Sequence, residues 1–75
     1  MTIPPGRIDA TVTQMNAGYV LATDDWGTTY FIFHSAVERM GQYGFSDLMR
    51  GSRVRLTAIQ HPKGPRGIEV QVLSV

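Results

Sequence analysis

Tyr30-Phe31-Ile32-Phe33-His34-Ser35-Ala36-Val37 is the stretch that decides how this chain is read. Side chains of a strand point alternately to its two faces. The run therefore sets Phe31 and Phe33 on one face and Tyr30, Ile32 and His34 on the other. Both faces are apolar or aromatic, whereas a small sheet with one core needs apolar residues on one face only. Two readings follow: a strand buried on both sides, or a strand whose outer rings form a solvent-facing platform for flat ligands.

The flanking sequence supplies the rest of a sheet. Residues 8–15 alternate Ile8, Ala10 and Val12 against Asp9, Thr11 and Thr13 and read as a first strand. Asn16-Ala17-Gly18 is a turn signal. Residues 19–23 form the second strand, Asp24-Asp25-Trp26-Gly27 a hairpin turn, and residues 28–34 the third strand. In that turn Trp26 reads as a cover for one barrel end, with a displaced stacking group as the alternative. Residues 35–40 open a short helical turn with Ser35 as its cap and Glu38 at the capping-box spacing, and Gly41 and Gly44 keep it short.

Residues 44–51 read as loop with a turn at Ser46-Asp47. A fourth strand over 53–60 points Val54, Leu56 and Ala58 inward. His61-Pro62-Lys63-Gly64-Pro65-Arg66-Gly67 then reads as a break that no regular element crosses. A last strand over 68–73 points Ile68, Val70 and Val72 inward. Five short strands punctuated by turns, with almost no helix, predict an all-β fold, a small barrel whose closure removes exposed edges. The expected division is a flexible leader over 1–7, around Pro4-Pro5-Gly6, and one domain over 8–75.

A chain of 75 residues holds one small core and buries only about 60% of the surface its unfolded form exposes. It has no cysteine, which excludes disulfide staples and thiolate metal sites and fits a reducing, cytoplasmic setting. No segment has the length or apolarity of a signal peptide or membrane span. The net charge of +1 is unevenly spread. Residues 8–38 contain Asp9, Asp24, Asp25 and Glu38 and no Lys or Arg, while residues 49–67 contain Arg50, Arg53, Arg55, Lys63 and Arg66 and no acid. A solvated charged face and a groove that tracks phosphates both fit this pattern.

Four segments in order resemble the cold-shock domain. Gly18-Tyr19-Val20-Leu21 lies where that family carries Lys-Gly-Phe-Gly-Phe-Ile, and Phe31-Ile32-Phe33-His34-Ser35-Ala36-Val37 lies where it carries Phe-Val-His-Phe-Ser-Ala-Ile. Gly44-Phe45-Ser46-Asp47-Leu48 with Arg50-Gly51-Ser52-Arg53-Val54 corresponds to Gly-Phe/Tyr-x-x-Leu followed by Glu-Gly-x-x-Val, and Lys63-Gly64-Pro65 to Lys-Gly-Pro. The resemblance implies a five-stranded antiparallel Greek-key barrel of the oligonucleotide-binding (OB) fold, cold-shock type. It also implies single-stranded RNA or DNA as partner, bound with little sequence preference by a nucleic-acid chaperone or a modulator of transcription or translation. The departures fall on the binding face. Thr13-Gln14-Met15-Asn16 stands where the family has Lys-Trp-Phe-Asn, Val20 and Leu21 replace a glycine and a phenylalanine, the family's His-Phe is reversed as Phe33-His34, and residues 40–43 are extra.

Stacking a base on an aromatic side chain is worth about 1–3 kcal/mol, largely without regard to sequence. By alternation and resemblance together the candidates are Tyr19, Leu21, Phe31, Phe33, His34 and Phe45, with Lys63 and Arg66 meeting phosphates and Arg66 also able to stack. The loss of family aromatics predicts weak binding, or binding of fewer bases. Against this stand plainer roles: Phe31 and Phe33 packed against the leader and the extended loop, Phe45 plugging its own loop, and His34 turned inward or at the edge.

Catalysis has little support. Asp24 and Asp25 read as turn formers, Ser35 as a cap, and His34 and His61 lack companions at metal-ligand spacing, so no enzyme, no metal and no cofactor is expected. The rival is a protein-interaction module or homodimer using an apolar patch of Met15, Leu21, Phe31 and Phe33, so a monomer or a weak homodimer is expected.

Overall fold

The computed structural model describes residues 6–38 and 43–75. Its strands are β1 (Arg7–Met15), β2 (Tyr19–Asp24), β3 (Thr29–Phe33), β4 (Arg53–His61) and β5 (Gly64–Ser74), with single 3-10 turns at His34–Ala36 and Phe45–Asp47. The strands close into a barrel in the order β1-β2-β3-β5-β4, with β4 pairing back onto β1. This is the all-β barrel that the alternation predicts, and its closed five-stranded form is that of the OB-like class the resemblance implies. Four seams are antiparallel, and the fifth, between β3 and β5, is parallel, with Phe31 opposite Arg66. No helix among the described residues is long and apolar enough to cross a membrane.

Alternation explains the core. Ile8, Ala10 and Val12 of β1, Val20 and Ala22 of β2, Tyr30 and Ile32 of β3, and Val54 and Leu56 of β4 are all buried together, with Val70 and Val72 from β5. Val37 and Leu48, from the connection between β3 and β4, complete the cluster. The central strand is thus buried on one side only: Tyr30 and Ile32 go in, and Phe31 and Phe33 go out. The Tyr30 hydroxyl, costly to bury alone, donates to Asp24 at 2.8 Å. Asp24 is therefore more than a turn former, and it is itself buried.

Four expectations are corrected. The run His61–Gly67 is not a break: only Pro62 and Lys63 turn, and β5 begins at Gly64 and runs through Pro65, Arg66 and Gly67. The chain tolerates Pro65 because β5 there pairs out to the end of a hairpin, with His61 opposite Gly64. Within β5 Ile68 is not a full core residue. The register slips between Arg55/Gln71 and Thr57/Ile68, and this bulge shifts the alternation so that Gly67 and Val70 are the buried positions. Glu69 sits in the bulge at φ 50°, a left-handed conformation rare for a side-chain-bearing residue.

Ser35 caps no helix: it lies inside the His34–Ala36 turn, whose N-cap is Phe33 and which has no side-chain cap. Trp26 covers no barrel end, being 75% exposed at the β2–β3 hairpin. Of the expected helical turn over 35–40 and the extra residues 40–43, positions 39–42 lie outside the described residues, as do residues 1–5 of the expected leader.

The uneven charge resolves largely across one seam. β1 and β4 are neighbours, and Arg55 makes a two-pronged contact with Asp9, at 2.8 and 3.2 Å. That bond to Arg55 holds the Asp9 carboxyl below its ordinary range. Arg53 donates to Thr11 at 2.7 Å and lies 4.0 Å from Asp25. These two arginines therefore serve the sheet rather than a groove, while Lys63 and Arg66 form no ion pair among the described residues.

Candidate nucleic-acid interface

Strand pairing sets Tyr19 opposite Phe33 and Leu21 opposite Phe31, all facing away from the core. The rings meet along the diagonal. Tyr19 and Phe31 stack with centroids 4.2 Å apart and planes 20° from parallel, and Phe33 meets Phe31 edge-on at 4.7 Å. Phe33 is the most open member, 38% exposed, whereas Tyr19, Leu21 and Phe31 are half-buried. The bulge at Thr13 in β1 brings that residue's hydroxyl 3.4 Å from the Leu21 carbonyl, beside the platform's edge.

The parallel seam adds the cation. Arg66 is held between Phe31 on one side and Ile59 on the other, and its Cζ lies 4.8 Å from the Phe33 centroid and 5.9 Å from that of Phe31. Lys63 stands exposed in the preceding turn, and its amide donates to Nδ1 of His61 at 3.2 Å. Phe31, Phe33, His61, Lys63, Pro65 and Arg66 line a hollow of about 360 Å³, near the lower end for ligand sites. Its floor is aromatic and its rim basic.

His34 does not continue the inward face of Tyr30 and Ile32. The strand stops at Phe33, and the 3-10 turn swings His34 into solvent, 6.0 Å edge-on from Phe45. Phe45 begins the second 3-10 turn, which Asp47 fixes by accepting the Gly44 amide at 2.8 Å. The ring is half-buried and packs on the core, so it plugs its loop and also faces a second hollow shared with His34.

The eight expected residues therefore fall into one group and one pair. Tyr19, Leu21, Phe31, Phe33, Lys63 and Arg66 share a continuous face, and His34 and Phe45 flank it beyond the end of β3. Sequence reasoning missed His61 and Pro65 as lining residues, because it treated their segment as a break. The Gly64-Pro65 step after a two-residue turn was the available signal. Of the leader and the extended loop expected to pack on Phe31 or Phe33, residues 1–5 and 40–42 lie outside the described residues, while Arg7 of the leader already belongs to β1. Among the described residues no cluster of three His, Cys, Asp or Glu is placed to hold a metal ion. No protein-family model matches the chain, and no curated protein matches it in sequence.

Proposed function

We propose that this barrel binds single-stranded RNA or DNA in the cytoplasm, as a nucleic-acid chaperone or a modulator of transcription or translation. The observation that carries the reading is the adjacency of an outward aromatic row and two cations free of ion pairs among the described residues: Tyr19, Phe31 and Phe33 beside Lys63 and Arg66. A surface made only for solubility has no use for three rings in mutual contact on its outer face. Bases stack on such rings, and the basic rim follows the backbone. The resemblance to cold-shock domains supports the same reading. Binding, rather than catalysis, is the chemistry these side chains offer.

The test is an amide NMR titration with a short pyrimidine-rich strand at low and at physiological salt. Shifts at Tyr19, Phe31, Phe33 and Lys63 that survive the higher salt are expected. Silence on this face, or shifts confined to 50–66 that vanish with salt, would overturn the reading and leave the apolar face to a protein partner.

A further inference from the structure

Resting on that reading, we propose that the hollow beside Phe33 is a subsite for a single guanine base, and that Arg66 makes the protein selective at that one position of the strand. A guanidinium carries five N–H donors in a rigid planar fork and accepts nothing. Arg7, Arg53 and Arg55 direct theirs to neighbours: Arg7 to Thr57, the Glu69 carbonyl and the Arg55 carbonyl, Arg53 to Thr11, and Arg55 to Asp9. Arg66 differs. Its Nε is buried and meets no acceptor among the described residues, and its guanidinium lies against the Phe33 ring instead.

The backbone fixes where these donors are presented. Arg66 is paired on both sides, to Phe31 and to Ile59, and it is followed by buried Gly67. The side chain therefore emerges from the β3–β5 seam, where Arg66 pairs with Phe31, over the floor of the hollow. Lys63, exposed on the two-residue turn, remains available to a phosphate.

A base suited to this hollow offers a flat face to Phe33 and two adjacent acceptors to the fork. Guanine does both, since O6 and N7 lie side by side and pair bidentately with arginine. In a single strand that edge is open. Adenine sets an amino donor beside N7, and thymine sets a methyl group beside O4, so each leaves guanidinium donors unmatched. Cytosine also sets two acceptors side by side, O2 and N3, but as a pyrimidine it covers less of the ring than guanine does. The barrel is then indifferent to sequence along most of the platform and particular at one step.

Fluorescein-labelled heptathymidylate, and the same strand with its central thymine replaced by guanine, adenine or cytosine, would be titrated with the intact protein and followed by anisotropy. An otherwise indifferent strand slides to seat its one preferred base. The guanine strand is expected to bind at least about fivefold more tightly than the all-thymine strand, and the adenine and cytosine strands are not. Arg66→Lys keeps the charge and loses the fork, so both affinities fall and their ratio collapses to about one. Arg66→Gln, a second variant in case the first does not fold, should move the preference toward adenine, with which glutamine pairs. Equal binding of all four strands by the unaltered protein, a preference for cytosine, or a guanine preference that persists in both variants overturns the guanine subsite alone. Failure to bind any strand overturns the platform reading and the subsite with it.

Discussion

The Tyr30 hydroxyl donates to Oδ2 of Asp24 at 2.8 Å, and both residues are buried where the β2–β3 hairpin meets the core. The other oxygen of that carboxylate accepts the Trp26 and Thr28 amides, each at 2.9 Å. One carboxylate thus orders the turn and satisfies a phenol inside the barrel, which lets a tyrosine fill space that an aliphatic residue would otherwise hold.

This pair makes stability depend on alkaline pH. Burial first, then the bond to Asp24 and its charge, push the Tyr30 phenol up from 10.0 to about 12. Between those values the unfolded chain has released a proton that the folded chain still holds, so unfolding becomes easier as pH rises. The full loss is about 2–3 kcal/mol at most. Urea midpoints followed by circular dichroism should fall across this window, whereas Tyr30→Phe should start lower and lack that component. A wild-type curve no steeper than that of Tyr30→Phe would count against the coupling.

Phe33 and Phe31 separate binding from folding. Phe33 is the more exposed, so Phe33→Ala should change stability by no more than about 0.5 kcal/mol and weaken strand binding by more than about 1 kcal/mol. Phe31 touches both Tyr19 and Phe33 and pairs with β5, so Phe31→Ala should weaken binding and also cost about 1–3 kcal/mol of stability. Anisotropy titrations and urea unfolding of the two variants, measured side by side, check this. Unfolding of the barrel by Phe33→Ala would show that the ring belongs to the core.

The bulge in β5 predicts two substitutions of opposite sign. A Cβ on Gly67 would lie 3.0 Å from Cδ2 of Leu56 and 3.2 Å from Cγ1 of Ile32, so Gly67→Ala should destabilise by about 1–3 kcal/mol through overpacking. Glu69 holds φ at 50°, where glycine is at ease, so Glu69→Gly should stabilise by about 0.5–1 kcal/mol. Thermal and urea unfolding measure both. A loss at Glu69→Gly would mean that its 3.5 Å contact with Thr57 outweighs the backbone strain.

Much of this was legible because a barrel strand has a period of two. Ile8, Ala10, Val12, Val54 and Leu56 sort inward from their spacing alone, and so do Phe31 and Phe33 outward once one core is assumed. What spacing could not show depends on which side chains meet. Tyr30 sorts inward by the same period, but that Asp24, six residues earlier, is buried to accept its hydroxyl was not legible, because turn formation alone accounted for that carboxylate. Ile68 lost its inward place to a bulge, which breaks the period without any composition signal except the neighbouring Gly67. Arg66 was legible as a cation but not as a cover for Phe33, since only the β3–β5 seam brings the two together.

That seam makes the interface a coincidence detector for the finished fold. Phe31 and Phe33 belong to a hairpin that forms from near neighbours, while Arg66 arrives with the strand that shuts the barrel. Neither segment alone presents ring and guanidinium together. A ligand recognising both reads closure itself, and by mass action it then holds the two ends of the sheet shut.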